Sequence, residues 1–222
     1  VRVRAFMAGL ATMAVLTGCG GLEAQDTTPE TSKPDSASVS DARKKLAKLA
    51  VKGRAPKTGF DRDEFGSAWA DVDRNGCDTR NDVLKRDLKD ETFKSGTHDC
   101  IVLTGTLKDP YSGKTIEFKR GQETSMAVQI DHLIPLSDAW QKGAQQWTAT
   151  KRKEFANDPL NLLAVDGPLN GQKSDADAAT WLPPRKAYRC TYIARQIDVK
   201  AKYEVWVTAA EKDAMETVLS DC

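Results

Sequence analysis

Asp131 and His132 stand near the end of an apolar run, Met126 to Leu133, that reads as a strand. A charged pair there is costly to bury without partners, so it points to chemistry rather than to packing. Leu160 to Val165 is a second short apolar run and carries Asn161. Nine residues later comes Asn170, followed by Gly171-Gln172-Lys173-Ser174, where a helix is expected over 168–177. Read as strand, long connection, strand, helix, residues 126–177 make a small ββα unit. Such a unit can gather one carboxylate, one imidazole and amide oxygens around a metal ion. A second set is Asp71-x-Asp73-x-Asn75-Gly76, with Asp82 at the twelfth position. It has the oxygen-ligand spacing of an EF-hand-like calcium loop, except that Asp82 is shorter than the usual Glu. The same residues also read as a polar turn leading into a helix.

The first set resembles the HNH nucleases, also called ββα-metal or His-Me finger endonucleases. The resemblance rests on Asp131-His132-x-x-Pro135-Leu136, on Asn161 in the second strand and on Asn170-x-x-Lys173 at the helix. Gly66-Ser67-Ala68-Trp69, Asn75-Gly76-Cys77-Asp78-Thr79-Arg80 and Trp181-Leu182-Pro183-Pro184 are similar to secreted actinobacterial members. The resemblance implies a metal-dependent hydrolase of phosphodiester bonds in nucleic acid. DNA is the expected substrate, RNA stays open, and little sequence preference is expected because no separate base-reading module is visible.

The chemistry distributes the roles. His132, with an ordinary pKa near ~6.5, suits a general base. Asp131 points to the other side of the strand and would ligate Mg²⁺, or another divalent cation such as Mn²⁺, together with Asn170. Asn161 would hold the loop and orient His132, and Lys173 would meet a phosphate oxygen. A reading from another class is a non-catalytic surface module that binds nucleic acid or calcium. The intact Asp-His-Asn-Asn set argues against it.

The rest of the chain must position these residues. A length of 222 residues fits one domain, and a formal net charge of +1 excludes a bulk electrostatic footprint for a polyanion. Phosphate contacts would come from local groups: Arg43-Lys44-Lys45-Lys48, Lys142, Lys151-Arg152-Lys153 and Arg185-Lys186-Arg189. Taken singly, each reads more readily as a solvated face. Trp140, Trp147, Trp181 and Trp206 read as core, and His98 as a structural or surface residue. The expected fold class is α+β: a ββα-metal finger embedded in a mostly helical domain with a small antiparallel sheet. Helices are expected over 41–52, after Asp82, over 138–156 and from Pro183 to about Trp206. Thr208-Ala209-Ala210-Glu211 opens a final helix with a capping box. Residues 100–107 and 114–119 read as a hairpin around Asp109-Pro110-Tyr111-Ser112-Gly113.

The N-terminus reads as an export signal. Arg2 and Arg4 precede an uncharged stretch, Ala5 to Leu16, too short for a spanning helix of about 20 residues. It ends Leu16-Thr17-Gly18-Cys19, which resembles a bacterial lipobox. The expectation is a lipoprotein signal peptide over 1–18, lipidation at Cys19, a tether over 19–40 and a folded domain over 41–222. The protein is then a monomer exported and lipid-anchored to the outer face of the membrane. Four cysteines remain, an even number in an oxidising compartment, with three connectivities open. Cys77–Cys100 and Cys190–Cys222 are favoured because each pair lies within one segment. Zinc is disfavoured, since no C-x-x-C pair exists and His98 and His132 are far apart in sequence.

Overall fold

The two expected strands of the ββα unit lie between two apolar layers, which explains their nearly continuous apolar sequences. In the computed structural model β4 (Val128–His132) pairs antiparallel with β5 (Leu162–Asp166), placing Ile130 opposite Ala164 and Asp131 opposite Leu163. Val128, Ile130, Leu162 and Ala164 face one cluster, while Leu163 and Val165 face another. The structure describes Val1 and residues 35–222. The expected signal peptide, Cys19 and the tether up to residue 34 lie outside the described residues. The chain divides into two units, 1–30 and 31–222, and every described helix and strand belongs to the second.

The first layer is a three-stranded antiparallel sheet with a helix on it. Helix α2 (Thr79–Asp87) leads into β1 (Leu88–Phe93), which pairs with β2 (Val102–Lys108), and β2 pairs with β3 (Thr115–Lys119). The β2–β3 hairpin is the expected one. Strand β1 was not anticipated: half of Leu88-Lys89-Asp90-Glu91-Thr92-Phe93 is charged, and a register shift after Lys89 breaks the alternation. Leu88 accordingly opens this strand instead of continuing the helix.

The second layer is helical. Helix α1 (Ser36–Lys48), α6 (Arg189–Tyr203) and α7 (Ala209–Ser220) pack together. Helix α1 starts five residues before the expected boundary at 41, because Asp35 caps it and Val39 continues the buried stripe of Ala42 and Leu46. Thr208 and Glu211 form the capping box of α7. Helix α6 starts later than Pro183, after a short 3₁₀ turn over Lys186–Tyr188. The expected helix over 138–156 is broken into α3 (Leu136–Gln141) and α4 (Ala149–Ala156), since Gly143 turns the chain at φ 126°. Cys77–Cys100 and Cys190–Cys222 are both bonded, the second tying the first turn of α6 to the residues after α7. The architecture is therefore α+β, with a ββα unit and a small antiparallel sheet within a largely helical chain.

Helix α5 (Gly167–Lys173) completes the ββα unit. Asp166 caps it, and Pro168 suits its first turn. Its N-terminus comes so close to the preceding segment that a Cβ on Gly167 would lie 2.0 Å from the Met126 carbonyl oxygen. Only glycine permits that approach, and it brings Asn170 and Lys173 over β4.

Candidate active site

Asp131 and His132 leave β4 on opposite sides, as adjacent strand residues must. His132 Nε2 lies 2.8 Å from the carbonyl oxygen of Ala156, at the C-terminal end of α4. Because a carbonyl only accepts, Nε2 carries the proton and Nδ1 keeps its lone pair. Burial lowers the His132 pKa to about 4, outweighing the Ala156 bond and Asp131, which act the other way. The ring is thus neutral around pH 7, with a basic nitrogen not tied to that carbonyl.

Asp131 is 5% exposed and sits among aromatic rings on the α5 side. Its Oδ1 accepts from Lys173 Nζ at 2.9 Å, and its Oδ2 from the Tyr111 hydroxyl at 2.5 Å. Lys173 also donates to the His132 carbonyl oxygen at 2.9 Å. Tyr111 is packed against Trp181, Tyr188 and Tyr192. Burial first, and Asp131 next, push its pKa well above the usual value, so it stays a donor. Lys173 is neither a solvated lysine nor within reach of a surface phosphate. It is buried, with two of its three protons committed within the protein. This corrects the expected phosphate contact: the short α5 lies flat on β4 and its Lys173 side chain runs inward to the carboxylate.

Asn161 is fully buried. Its Oδ1 accepts from Ile134 N at 2.9 Å, and its own backbone carbonyl accepts from Leu133 N at 2.8 Å. It thus pins residues 133–134, directly after His132, and touches the ring only through that backbone. Asn170 donates from Nδ2 to Gln129 Oε1 at 2.9 Å, leaving its amide oxygen without a partner among the described residues. Among the described residues no three His, Cys, Asp or Glu side chains are gathered to hold a metal ion. What the ββα unit presents is one buried carboxylate and one amide oxygen. The cation on that carboxylate is the ammonium of Lys173. The donor chemistry suits a hard cation, but both oxygens of Asp131 already accept, from Lys173 and from Tyr111, so a metal ion would take the place of Lys173.

The loop over 71–82 is organised by its own amides. Asp71 accepts from the backbone of Asn75 and Gly76, and Asp73 and Asp82 accept from the Asn75 side chain. Asp78 then caps α2. Burial, with Asp73, Asp78 and Asp71 close by, raises the pKa of Asp82. The loop is a polar turn leading into α2, with Asp71, Asp73 and Asp82 gathered around Asn75. Among the described residues none of its carboxylates bonds to the ββα unit.

The basic segments are dispersed. Arg43 donates to the Leu219 carbonyl, Lys45 pairs with Asp41 and Asp198, and Arg152 pairs with Glu64. Lys142 is no phosphate ligand, because it is wholly buried between Asp138, Asp177 and Glu211. Of the tryptophans expected in the core, Trp140 is 7% exposed, Trp147 is half-buried against the cluster that holds Trp140, and Trp181 is half-buried against the cluster of Tyr111 and Tyr192. Trp206, also half-buried, donates to the Gly53 carbonyl. His98 is exposed in the turn before Cys100.

Sequence reasoning gave no site role to two residues that contact the pair, Tyr111 and Trp69. Trp69 stacks on His132 with ring centroids 6.1 Å apart and planes 18° apart. The signal for Tyr111 was an aromatic residue in the middle of a polar turn. That turn is not free at the surface: Asp109 Oδ1 accepts from Asp166 N at 2.9 Å, docking it against β5.

The model of the C-terminal domain of GmrSD restriction endonucleases matches residues 78–218, which include the whole ββα unit. An "Uncharacterized secreted protein" of Arthroderma benhamiae is 37% identical over 196 residues, covering 87% of this chain and 91% of that protein. No solved structure matches. With the match running from the cap of α2 into α7, the chain belongs to the family of GmrSD restriction endonuclease C-terminal domains.

Proposed function

We propose that this chain is a nuclease of the HNH type that hydrolyses phosphodiester bonds in nucleic acid, DNA above all. The observation that carries the reading is the His132 imidazole, held by the Ala156 carbonyl in the tautomer that offers Nδ1 as a base. Nδ1 takes a proton from water, the oxygen–phosphorus bond forms, and the bond from phosphorus to the leaving sugar oxygen breaks. Asn161 fixes the turn after His132 and Tyr111 fixes Asp131. A divalent cation, Mg²⁺ or Mn²⁺, would be held by Asp131 and Asn170 once Lys173 withdraws, and would supply charge stabilisation at the phosphate oxygens. Membership of a restriction endonuclease family supports the substrate class.

Export is part of the same proposal. Two disulfides and the secreted description of the Arthroderma benhamiae protein support it. Lipid attachment at Cys19 is proposed from the sequence alone, and Cys19→Ser should release the protein from membranes. The deciding experiment uses purified protein on duplex DNA, single-stranded DNA and RNA, with EDTA and a panel of divalent metals. Cleavage that vanishes in folded His132→Ala supports the reading. Full activity in that variant overturns the mechanism.

A further inference from the structure

Residues 60–77 precede the part of the chain matched by the family model, yet they cover the His132 side of β4. The segment is fastened at both ends. At its start Phe60 and Phe65 join Trp140 and Phe155 in one aromatic group. Arg152 of α4 donates to the Glu64 carbonyl at 2.8 Å and to Glu64 Oε2 at 2.9 Å. At its end Thr79 bonds back to the carbonyls of Trp69 and Ala70, and Cys77 is bridged to Cys100. Between these anchors Trp69 adopts φ 58°, a left-handed conformation that a bulky side chain holds only when its surroundings impose it.

We propose that this segment is the substrate-side wall of the nuclease site, with Trp69 as a positioning residue for His132 and Arg62 as a phosphate-binding group. The inference rests on the nuclease reading. A single hydrogen bond from Nε2 to Ala156 fixes one point of the imidazole and leaves its plane free to swing. The stacked indole fixes the plane, and the two together aim Nδ1. Arg62 stands on the same turn as Phe65, which packs on Phe155 beside Ala156. It is exposed and makes no ion pair among the described residues, although acidic residues surround it in sequence. Asp61 spends its carboxylate on Asp63 N, and Glu64 spends its own on Arg152. A planar guanidinium without an ion pair, on the turn that packs against α4 next to Ala156, is suited to a phosphate by paired hydrogen bonds.

The test is steady-state cleavage of a short duplex by the full chain, with wild type, His132→Ala, Trp69→Ala, Trp69→Phe, Arg62→Ala and Arg62→Lys. Trp69→Ala should lower kcat by about 10–10²-fold, the scale of a misaimed reacting group, with KM nearly unchanged. Trp69→Phe should restore most of the rate, since a ring can still stack. Arg62→Ala should raise KM by about tenfold with kcat nearly unchanged, and Arg62→Lys should fall between. In the NMR spectrum the His132 ring protons should move downfield in Trp69→Ala, as the stacked ring no longer shields them. Wild-type kcat in Trp69→Ala, no rescue by Trp69→Phe, or an unchanged KM in Arg62→Ala overturns this inference while His132-dependent cleavage stands. A wild type without His132-dependent cleavage overturns the nuclease reading itself, and the wall with it.

Discussion

Lys142 and Lys173 are both buried and both meet carboxylates, but they keep different company. Lys142 contacts Asp138 at 2.8 Å, Asp177 at 2.8 Å and Glu211 at 2.6 Å. Arg54 closes the same group from outside, and Lys200 meets Glu211 at 2.9 Å. Three carboxylates and three cations thus balance in a hub that joins α3, α6, α7 and the turn at Asp177. Burial acts to lower the Lys142 pKa, yet its carboxylates outweigh that, and the net shift is upward. Lys173 has a single carboxylate, and the only other acceptor it meets among the described residues is the His132 carbonyl. The hub is a closed set in which every charge is shared. The Lys173 pair is a minimal set, and on the proposed reading a metal ion would replace its one cation. Buried charge serves cohesion in the first region and, on the proposed reading, chemistry in the second.

The sharpest way to break that contrast is His132→Ala. It should reduce cleavage on the order of 10²–10⁴-fold and leave the unfolding midpoint nearly unchanged. A folded variant that cuts at the wild-type rate would remove any functional distinction between the two regions. Next in size is Lys142→Met, which leaves three buried carboxylates to two cations, Arg54 and Lys200. It should cost about 3–5 kcal/mol of stability by urea unfolding, with the rate per folded molecule preserved. A loss below about 1 kcal/mol, the scale of an exposed pair, would show that the hub is not cohesive.

Lys173→Ala should act in the opposite sense on metal binding. It clears Asp131, so Mn²⁺ affinity measured by calorimetry should rise by about tenfold, the scale of one charge-assisted bond. Equal affinity in wild type and variant would sink the exchange. The pH dependence sharpens the picture further. His132 has its pKa lowered from 6.5 to about 4, so the folded state takes up the proton later than the unfolded chain. Stability should therefore fall as pH drops from 6.5 towards 4, and the acid limb of kcat/KM should lie near 4. An acid limb near the ordinary histidine value would contradict the burial of the ring. The smallest effect is expected for Tyr111→Phe, about 1 kcal/mol of stability for one hydrogen bond, with a modest loss of rate.

The ββα unit was legible because its signals are local. Apolar runs separated by turn residues give the two strands, and the order Asp131-His132, Asn161, Asn170 gives the candidate site. The disulfide pairing followed from proximity in sequence, and the cap of α7 from four consecutive residues. What stayed hidden depends on contacts between distant segments. Tyr111 reaches Asp131 across 20 positions, and Trp69 reaches His132 from a loop with no periodicity of its own. Lys142 and Lys173 looked like surface cations, because a lone lysine in a polar stretch carries no mark of the carboxylates that will enclose it. Strand β1 was missed for a similar reason: its middle residues Lys89, Asp90 and Glu91 are charged, and only the pairing with β2 makes it a strand.

Gly167 sets a limit on how such a molecule can vary. Its missing side chain lets α5 lie against the Met126 carbonyl, and through that approach Lys173 reaches Asp131. Any larger residue lifts the helix and parts the ion pair at once. A selection for cleavage across all substitutions would consequently mark Gly167 as strictly as His132, although it handles no proton and meets no phosphate. In this fold mutational intolerance reports clearance between backbones as faithfully as it reports reactivity.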